Sequence, residues 1–262
     1  MIKSQEEKFG KFKTPFEAED LRTNLAQKGN YQAFLKTYSS NYPVITAPNT
    51  SSFWDKKFDS LEKFENQDSM TREKIDFIIS LLPEGKSKML DVGLGQAYLE
   101  QRLKKLGTKH NLYGIDISKK SITRARKNFD GEFIVGDILK NKKIFKKSFY
   151  DVIVAIEVTE HIPPAKIFEF YKRIHNSLRP KGIFIISTPL NEGLRYSKIN
   201  PSAHLREYTI PILKAEFKLA GFKITQMKTF FAFSKFYTLK KLLARLLRRW
   251  EANNIVVKAV KV

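Results

Sequence analysis

The pattern of apolar and polar positions along the chain changes near residue 88. From there on, short apolar runs of strand length are separated by amphipathic stretches of helix length. A strand followed by a helix, repeated several times, is typical of a parallel sheet covered by helices on both faces. The predicted strands are 88–93, 111–117, 132–137, 150–158 and 182–189, and the helices between them are 97–106, 119–129 and 164–178.

The pattern continues after Pro189 and a long loop. A helix is predicted over 209–220, since Gly221 is a residue that commonly ends helices, and two more strands are predicted at 222–231 and 254–262. The fold class expected is therefore α/β, a Rossmann-like, doubly wound, mostly parallel sheet of seven strands with helices on both faces. A basic amphipathic helix is inserted between the last two strands, at about 234–251.

The first 66 residues differ from the rest, because they contain recurring aromatic side chains but no run of strand type. The segment 42–49 is expected to be irregular, since the residue before each of its prolines disfavours helix. A helix over 70–82 follows. We predict an N-terminal helical and loop cap in residues 1–66 and one α/β domain in residues 67–262.

Composition narrows the classes of site and location. The 262-residue chain has no cysteine, which excludes disulfides, thiolate nucleophiles and cysteine-based zinc sites. No apolar run approaches the roughly 18 residues needed to span a membrane, and the polar N-terminus lacks the apolar core of a signal peptide, so we expect a cytoplasmic location. The net charge of +21 indicates either an acidic partner, such as a nucleic acid or a phospholipid surface, or a solvated lysine-rich surface.

The first predicted strand leads into the turn Asp91-Val-Gly93-Leu-Gly95. Ligands of open parallel sheets bind at the carboxyl ends of strands, and glycines let the backbone approach them closely. Tyr98 stands where the dinucleotide fingerprint needs its last glycine, which argues against a dinucleotide. Asp116 and Asp137 end the next two strands, where a carboxylate can accept hydrogen bonds from ribose hydroxyls or from an adenine amino group.

Residues 70–231 resemble a class I S-adenosylmethionine-dependent methyltransferase. The motifs are Leu90-Asp-Val-Gly-Leu-Gly95, Gly114-Ile-Asp116, Val135-Gly-Asp137, Asp151-Val-Ile-Val-Ala-Ile-Glu-Val-Thr-Glu-His161 and Ser187-Thr-Pro189. Within that family, Glu157-Val-Thr-Glu-His161 resembles the ubiquinone-biosynthesis O-methyltransferase branch. His204-Leu-Arg-Glu-Tyr208 resembles a loop of related small-molecule and glycan methyltransferases.

The resemblance implies S-adenosyl-L-methionine as the cofactor and assigns binding roles to eight residues. They are Asp91, Gly93 and Gly95 at the methionine part, Asp116 at the ribose, Asp137 and Ile138 at the adenine, Ile156 beside the methyl group, and Arg72 at the methionine carboxylate. A solvated charge on a helix is the alternative interpretation of Arg72.

Catalysis of methyl transfer to a hydroxyl needs an aligned nucleophile and a group that takes its proton. Histidine is suited to that task near neutral pH. His161 follows the fourth strand, and His204 lies in the loop after the fifth. Both loops border the cofactor's methyl group in this fold, so His161, His204 and Glu157 are the predicted catalytic residues. His110 and His175 receive no role.

A metal site is an alternative interpretation of the same loops. Glu157, Glu160, His161 and His204 resemble the Glu-x-x-Glu-His plus distant histidine set that binds a divalent ion in small-RNA 2′-O-methyltransferases. Such an ion would lower the pKa of a bound hydroxyl. Because the motif is also widespread in related methyltransferases without established metal use, we predict no resident metal.

The segment 236–250 places apolar residues on one helix face and basic residues on the other. Its leucine face either lies on an anionic membrane surface or packs on the domain.

Three hypotheses for the whole protein follow. The first is an O-methyltransferase for a small molecule or a glycan or lipid precursor. The second is a metal-assisted RNA 2′-O-methyltransferase, although no RNA-binding module is recognised. The third is a cofactor-binding protein without catalysis. The sequence leaves open the acceptor, the atom that is methylated and the oligomeric state.

Overall fold

The computed structural model describes residues 49–60, 62–190, 192, 203–233, 235–247 and 250–262. Seven strands occur in this part of the chain. They are β1 (Lys88–Val92), β2 (Asn111–Asp116), β3 (Gly131–Val135), β4 (Tyr150–Ile156), β5 (Leu178–Pro189), β6 (Phe222–Phe230) and β7 (Asn254–Lys261). They form one sheet in the order β3-β2-β1-β4-β5-β7-β6.

The first five strands are parallel, and β7 runs antiparallel to both of its neighbours, β5 and β6. The central strands have apolar side chains on both faces, and all of Val152, Ile153, Val154 and Ala155 in β4 are fully buried. Strands that are buried on both faces have near-continuous apolar runs rather than alternating ones. The predicted seven-stranded, mostly parallel sheet is thus confirmed.

Seven α-helices flank or follow the strands in the described part of the chain. They are α1 (Ser51–Lys57), α2 (Ser69–Ser80), α3 (Tyr98–Leu106), α4 (Lys119–Asn128), α5 (Ile167–Ser177), α6 (Ile210–Leu219) and α7 (Tyr237–Leu247). Helices α2 and α3 share one apolar core with Met89 and Val154. Helices α5 and α6 share another with Leu90 and Ile153. Neighbouring residues of one strand point to opposite faces, so helices cover both sides of the sheet.

Most element boundaries differ from the sequence prediction by one or two residues, and among the first five strands and the helices between them, two elements begin at least three residues from the predicted start. Strand β5 begins at Leu178 rather than at residue 182, because Leu178 pairs with Tyr150 before an irregularity in the ladder. Helix α5 begins at Ile167 because a 3-10 turn, Pro164–Lys166, precedes it. Neither change moves the carboxyl ends of the strands.

The predicted N-terminal cap lies largely outside the described residues, which begin at Asn49. Its described part contains α1 and a 3-10 turn, Phe64–Asn66. The boundary between cap and domain stays a prediction. In the described part of the chain, none of the helices has the length and apolar character needed to cross a bilayer. The cytoplasmic location stays a prediction as well.

Candidate active site

A cavity of about 850 Å³ opens at the carboxyl ends of β1 to β4. Parallel strands end at the same edge of a sheet, so residues far apart in sequence meet there. The lining includes all but one of the residues predicted to bind the cofactor and all three predicted catalytic residues. They are Asp91, Gly93, Gly95, Asp116, Asp137, Ile138, Ile156, Glu157, His161 and His204.

The glycine turn forms one wall of this cavity. Gly93 has a φ of +80° and Gly95 a φ of +51°, values that favour glycine. A Cβ on Gly93 would lie 2.5 Å from Cγ2 of Val158, and one on Gly95 would lie 3.3 Å from the ring of Phe58. Ala97, the residue before α3, also has a positive φ, at +54°. The turn therefore places main-chain atoms at the cavity wall and leaves no room for side chains at Gly93 and Gly95.

Replacing Gly93 with alanine should destabilise the protein more than the same change at Gly85. Both glycines have a positive φ, but a Cβ on Gly85 would meet no atom within 4 Å. We expect Gly85→Ala to cost about 1–2 kcal/mol of backbone strain, and Gly93→Ala to cost a further ~1–3 kcal/mol from its contact with Val158. Urea denaturation of the two variants measures the difference. Equal losses of stability would show that the turn is not tightly packed.

Asp116, at the end of β2, is buried and organises the turn. Its Oδ2 accepts a hydrogen bond from the backbone N–H of Gly95 at 2.8 Å, and its Oδ1 accepts one from Ser118 N–H at 2.7 Å. Burial raises the pKa of this carboxyl to about 6, against the two backbone N–H groups that favour the charged form. Each carboxylate oxygen has a second lone pair for a ligand hydroxyl. The residue therefore fits the ribose contact predicted from the sequence.

Asp91, in β1, faces the cavity beside the buried carboxyl of Glu100 on α3. Its Oδ1 is buried and receives no hydrogen bond from an N–H group of the described residues, while the carboxyl lies within hydrogen-bond reach of Glu100. Burial and the neighbouring Glu100 raise the pKa of Asp91, and burial raises that of Glu100 to about 7. A proton shared between the two carboxyls relieves their repulsion, and a ligand that brings positive charge would stabilise them in the ionised form. The ammonium group of a methionine moiety meets this requirement.

Asp137 and Ile138 lie where the third strand leads into a loop. Asp137 Oδ1 accepts a hydrogen bond from the backbone N–H of Leu139 at 2.8 Å, as in a local turn. Ile117, Ile138 and Leu139 are partly buried apolar residues of the cavity lining. They form an apolar surface of the kind that a flat adenine ring contacts.

Glu157 follows β4 in a left-handed conformation, with a φ of +54°. Its carboxylate accepts hydrogen bonds from Lys74 Nζ at 2.8 Å, Ser187 Oγ at 2.6 Å and Asn254 Nδ2 at 3.0 Å. Burial disfavours the charge, but the Lys74 ammonium and these hydrogen bonds outweigh it and lower the pKa of Glu157. These three donors hold the carboxylate in place, which suits a positioning role, and a direct catalytic role of Glu157 stays a prediction.

His161 and His204 meet on the side of the cavity facing the ends of β4 and β5. Their ring centroids are 4.9 Å apart, and Trp54 of α1 lies edge-on to His161 at the same distance. His161 Nδ1 lies 3.0 Å from the Ala203 carbonyl oxygen, which can only accept, so Nδ1 carries the proton and Nε2 the lone pair. Burial and the nearby His204 lower the pKa of His161 to about 4. His161 is therefore neutral at pH 7.

The loop that carries His204 is anchored on both sides. His204 Nδ1 contacts the carboxylate of Glu192 at 2.7 Å, and Leu205 N–H donates to the Glu160 carbonyl oxygen at 2.8 Å. The buried Arg206 forms an ion pair with the buried Glu216 of α6. Removing one member of such a buried pair is costly, so the pair fixes the loop to α6.

Three of the four residues in the alternative metal set come together. Glu160, His161 and His204 offer ligand atoms that all lie within 4.8 Å of one another. Glu160 is fully buried, and its Oε1 has no hydrogen-bond partner among the described residues. Burial, and then the charge of Glu157, raise the pKa of Glu160. Glu157 is not in this group, and its carboxylate forms an ion pair with Lys74 instead.

Arg72 is not among the residues that line the cavity, which favours the alternative interpretation of a solvated charge on a helix, and its contact with the methionine carboxylate stays a prediction. It is exposed on α2, and its Nη1 contacts the Glu65 carbonyl oxygen at 3.5 Å. Helical spacing turns Lys74, Ile75 and Ile78 towards the sheet instead. Lys74 is instead the buried cation at this end of α2, and no local sequence pattern marks it as a site residue.

Helix α1 was also missed as part of the site. Trp54, Lys57 and Phe58 line the cavity, and Asp55 accepts hydrogen bonds from Ser118 Oγ and Lys120 N–H at 2.6 and 3.1 Å. These bonds fix α1 to the start of α4, beside Asp116. The Thr50 side chain caps α1 by accepting from Phe53 N–H at 3.2 Å, and that capping pattern is the signal in the sequence that marks the helix.

Comparison with known proteins matches residues 83–237 to the methyltransferase domain family. A ubiquinone biosynthesis O-methyltransferase of Actinobacillus pleuropneumoniae is 29% identical over 141 residues, which are 50% of this chain and 53% of that protein. A ribosomal protein L11 methyltransferase of Dictyoglomus turgidum is 35% identical over 121 residues, covering 46% of this chain and 38% of that protein. The chain thus spans about half or less of these curated relatives.

Solved structures share the fold at low identity. The N-methyltransferase NodS of Bradyrhizobium japonicum, in complex with S-adenosyl-L-homocysteine, superposes with a TM-score of 0.61 at 13% identity. The superposition covers 81% of this chain and 98% of that one. The relatives named here are called O-methyltransferase, N-methyltransferase and ribosomal protein methyltransferase, so the fold alone does not select an acceptor.

Proposed function

This chain belongs to the methyltransferase domain family, and from that premise we propose that it is an S-adenosylmethionine-dependent enzyme that methylates an oxygen atom. The acceptor is a small molecule or a glycan or lipid precursor. The observation that carries the proposal is one shared cavity, in which the buried Asp91 and Asp116 lie on one wall and the neutral His161 on another. The first two residues suit the cofactor, and the third suits a hydroxyl acceptor.

The cofactor, when bound, supplies a methyl group that is already activated on a sulfonium ion. Asp116 would accept hydrogen bonds from the ribose hydroxyls, and Asp91 would pair with the ammonium group of the methionine part. His161 Nε2 would take the proton of the acceptor hydroxyl, whose oxygen receives the methyl group. Apolar and aromatic residues of the cavity, among them Trp54 and Phe58, exclude water.

Glu157 has a positioning role in this proposal. Its carboxylate joins the end of β4 to β5 through Ser187 and to β7 through Asn254. The same carboxylate holds Lys74 of α2. It thereby fixes the wall of the cavity that carries Ile156 and Val158, which would border the cofactor's methyl group.

Incubation with methyl-labelled S-adenosylmethionine and separated cell fractions tests the acceptor class. We expect label in the small-molecule, glycan or lipid fraction, because Trp54 and Phe58 line the cavity and the sequence contains no recognised RNA-binding module. Label that appears only in RNA or only in protein would contradict the proposed acceptor class. A His161→Ala variant run in parallel shows whether the labelling depends on this site.

A metal-assisted RNA 2′-O-methyltransferase is the second candidate, since Glu160, His161 and His204 lie close enough to share one ion. Carboxylate and imidazole ligands suit a divalent ion that lowers the pKa of a bound hydroxyl. The main proposal predicts that a strong chelator leaves the rate of methyl transfer unchanged. The second candidate predicts a loss that added Mg²⁺ or Mn²⁺ restores. The two outcomes separate the candidates in one assay.

A further inference from the structure

Helix α7 packs on the protein through only one narrow side. Tyr237 and Lys241 of that side contact the Glu73 carboxylate on α2, each at 2.7 Å, and Ala244 is buried. These three residues are spaced four and three positions apart and therefore share one face of the helix.

The opposite face of α7 consists of leucines that remain exposed among the described residues. Leu246 is 68% exposed and Leu239 57%. Leu242, Leu243 and Leu247 are exposed as well, and Phe236 and Trp250 flank the helix in the same way. The sequence left open whether the leucine face packs on the domain. In the structure this face points away from the described part of the domain. A contiguous apolar patch of this kind marks an interaction surface.

Charge indicates what this surface contacts. No acidic residue occurs between Phe236 and Trp250, whereas five lysines and arginines do. Lys240 and Arg245 are exposed and flank the leucines on the two sides of the helix. Leucines outermost, cations beside them and an aromatic residue near each end are the arrangement of helices that lie in the plane of an anionic bilayer.

We propose that the outer face of α7 binds the surface of an anionic lipid bilayer. The two connections of α7 lie at the rim of the cavity, since Ala232 before it and Asn253 after it both line that cavity. Ala232 N–H donates to Asn253 Oδ1 at 2.9 Å and closes the base of the insertion. A bilayer under α7 would therefore lie near the cavity mouth. Resting on the proposed function, this arrangement identifies the acceptor as an amphiphile drawn from the membrane.

Flotation with vesicles tests the surface without any need for catalysis. The full chain is mixed with vesicles of phosphatidylcholine alone or of phosphatidylcholine with phosphatidylglycerol. We expect the wild type to float only with the anionic vesicles, and less so at high salt. The variant Leu243→Glu, Leu246→Glu should partition into the anionic vesicles about 100-fold more weakly than the wild type. The reason is that the bilayer would bury both leucine side chains at its acyl boundary, and the variant lacks them.

A matched control carries the same charge change at two other exposed apolar positions, Leu106→Glu with Val262→Glu. It should float like the wild type. Thermal unfolding and calorimetry with S-adenosylmethionine should show both variants folded and binding the cofactor like the wild type. The membrane proposal is overturned if the wild type does not float. It is also overturned if both variants lose flotation equally, or if light scattering shows a wild-type dimer that the leucine variant alone loses. Cofactor binding in solution tests the proposed function separately.

Discussion

Replacing Asp116 with alanine should weaken binding of S-adenosylmethionine by at least about 100-fold, since two hydrogen bonds to a charged group are lost at ~1.5–3 kcal/mol each. The same change removes the acceptor for Gly95 N–H and Ser118 N–H, so the glycine turn also loses its support. Isothermal titration calorimetry measures the change in affinity. Unaltered affinity would remove Asp116 from the cofactor site.

The pH dependence of binding provides an independent check on the same carboxyl. Burial raises the pKa of Asp116 to about 6, so its carboxylate is present above that pH and is protonated below it. Affinity of the wild type should therefore fall as the pH drops below 6. The Asp116→Asn variant keeps the size of the side chain and should bind weakly at every pH. The fall in affinity below pH 6 should be absent from the Asp116→Asn variant. A purely structural effect of the substitution would leave that pH dependence in place.

Replacing His161 with alanine should lower kcat by about 10²–10⁴-fold, the usual contribution of a positioned general base. Affinity for S-adenosylmethionine should stay near that of the wild type, because none of the proposed cofactor contacts involves the imidazole. Steady-state kinetics with saturating cofactor, together with calorimetry, separates the two quantities. His175→Ala is the matched control, since that residue lies outside the cavity lining and should keep its activity.

The protonation state of His161 sharpens this expectation. Burial and His204 lower its pKa to about 4, so the base form persists at any pH well above that value. At saturating cofactor, kcat should show no histidine titration near pH 6.5. A bell-shaped profile centred on an ordinary histidine pKa, or full activity of the alanine variant, would contradict the role of His161 as the base.

Local patterns were sufficient for the fold and for much of the site. The alternation of strands and helices predicted the sheet, and the acids Asp91, Asp116 and Asp137 were found because each lies at or near the end of a predicted strand. Parallel strands bring those ends to one edge, so the sequence position alone placed these residues in one cavity.

The remaining features depend on contacts between distant parts of the chain. Lys74 and Asn254 both bind Glu157, across 83 and 97 residues, and no local pattern relates them. Arg72 and Lys74 are two positions apart, and only the packed orientation of α2 shows which one turns inward. The sequence also did not determine the orientation of the leucine face of α7, because an amphipathic pattern does not show whether the apolar side contacts protein or solvent.

A crystal structure of the protein with S-adenosyl-L-homocysteine tests the central claim most directly. We expect the ribose hydroxyls within hydrogen-bond distance of the Asp116 carboxylate, the adenine against Ile138, and the amino group near Asp91. The sulfur atom should face the side of the cavity that carries His161. A ligand bound elsewhere, or one bound in this cavity with its ribose away from Asp116, would contradict the assignment of the site.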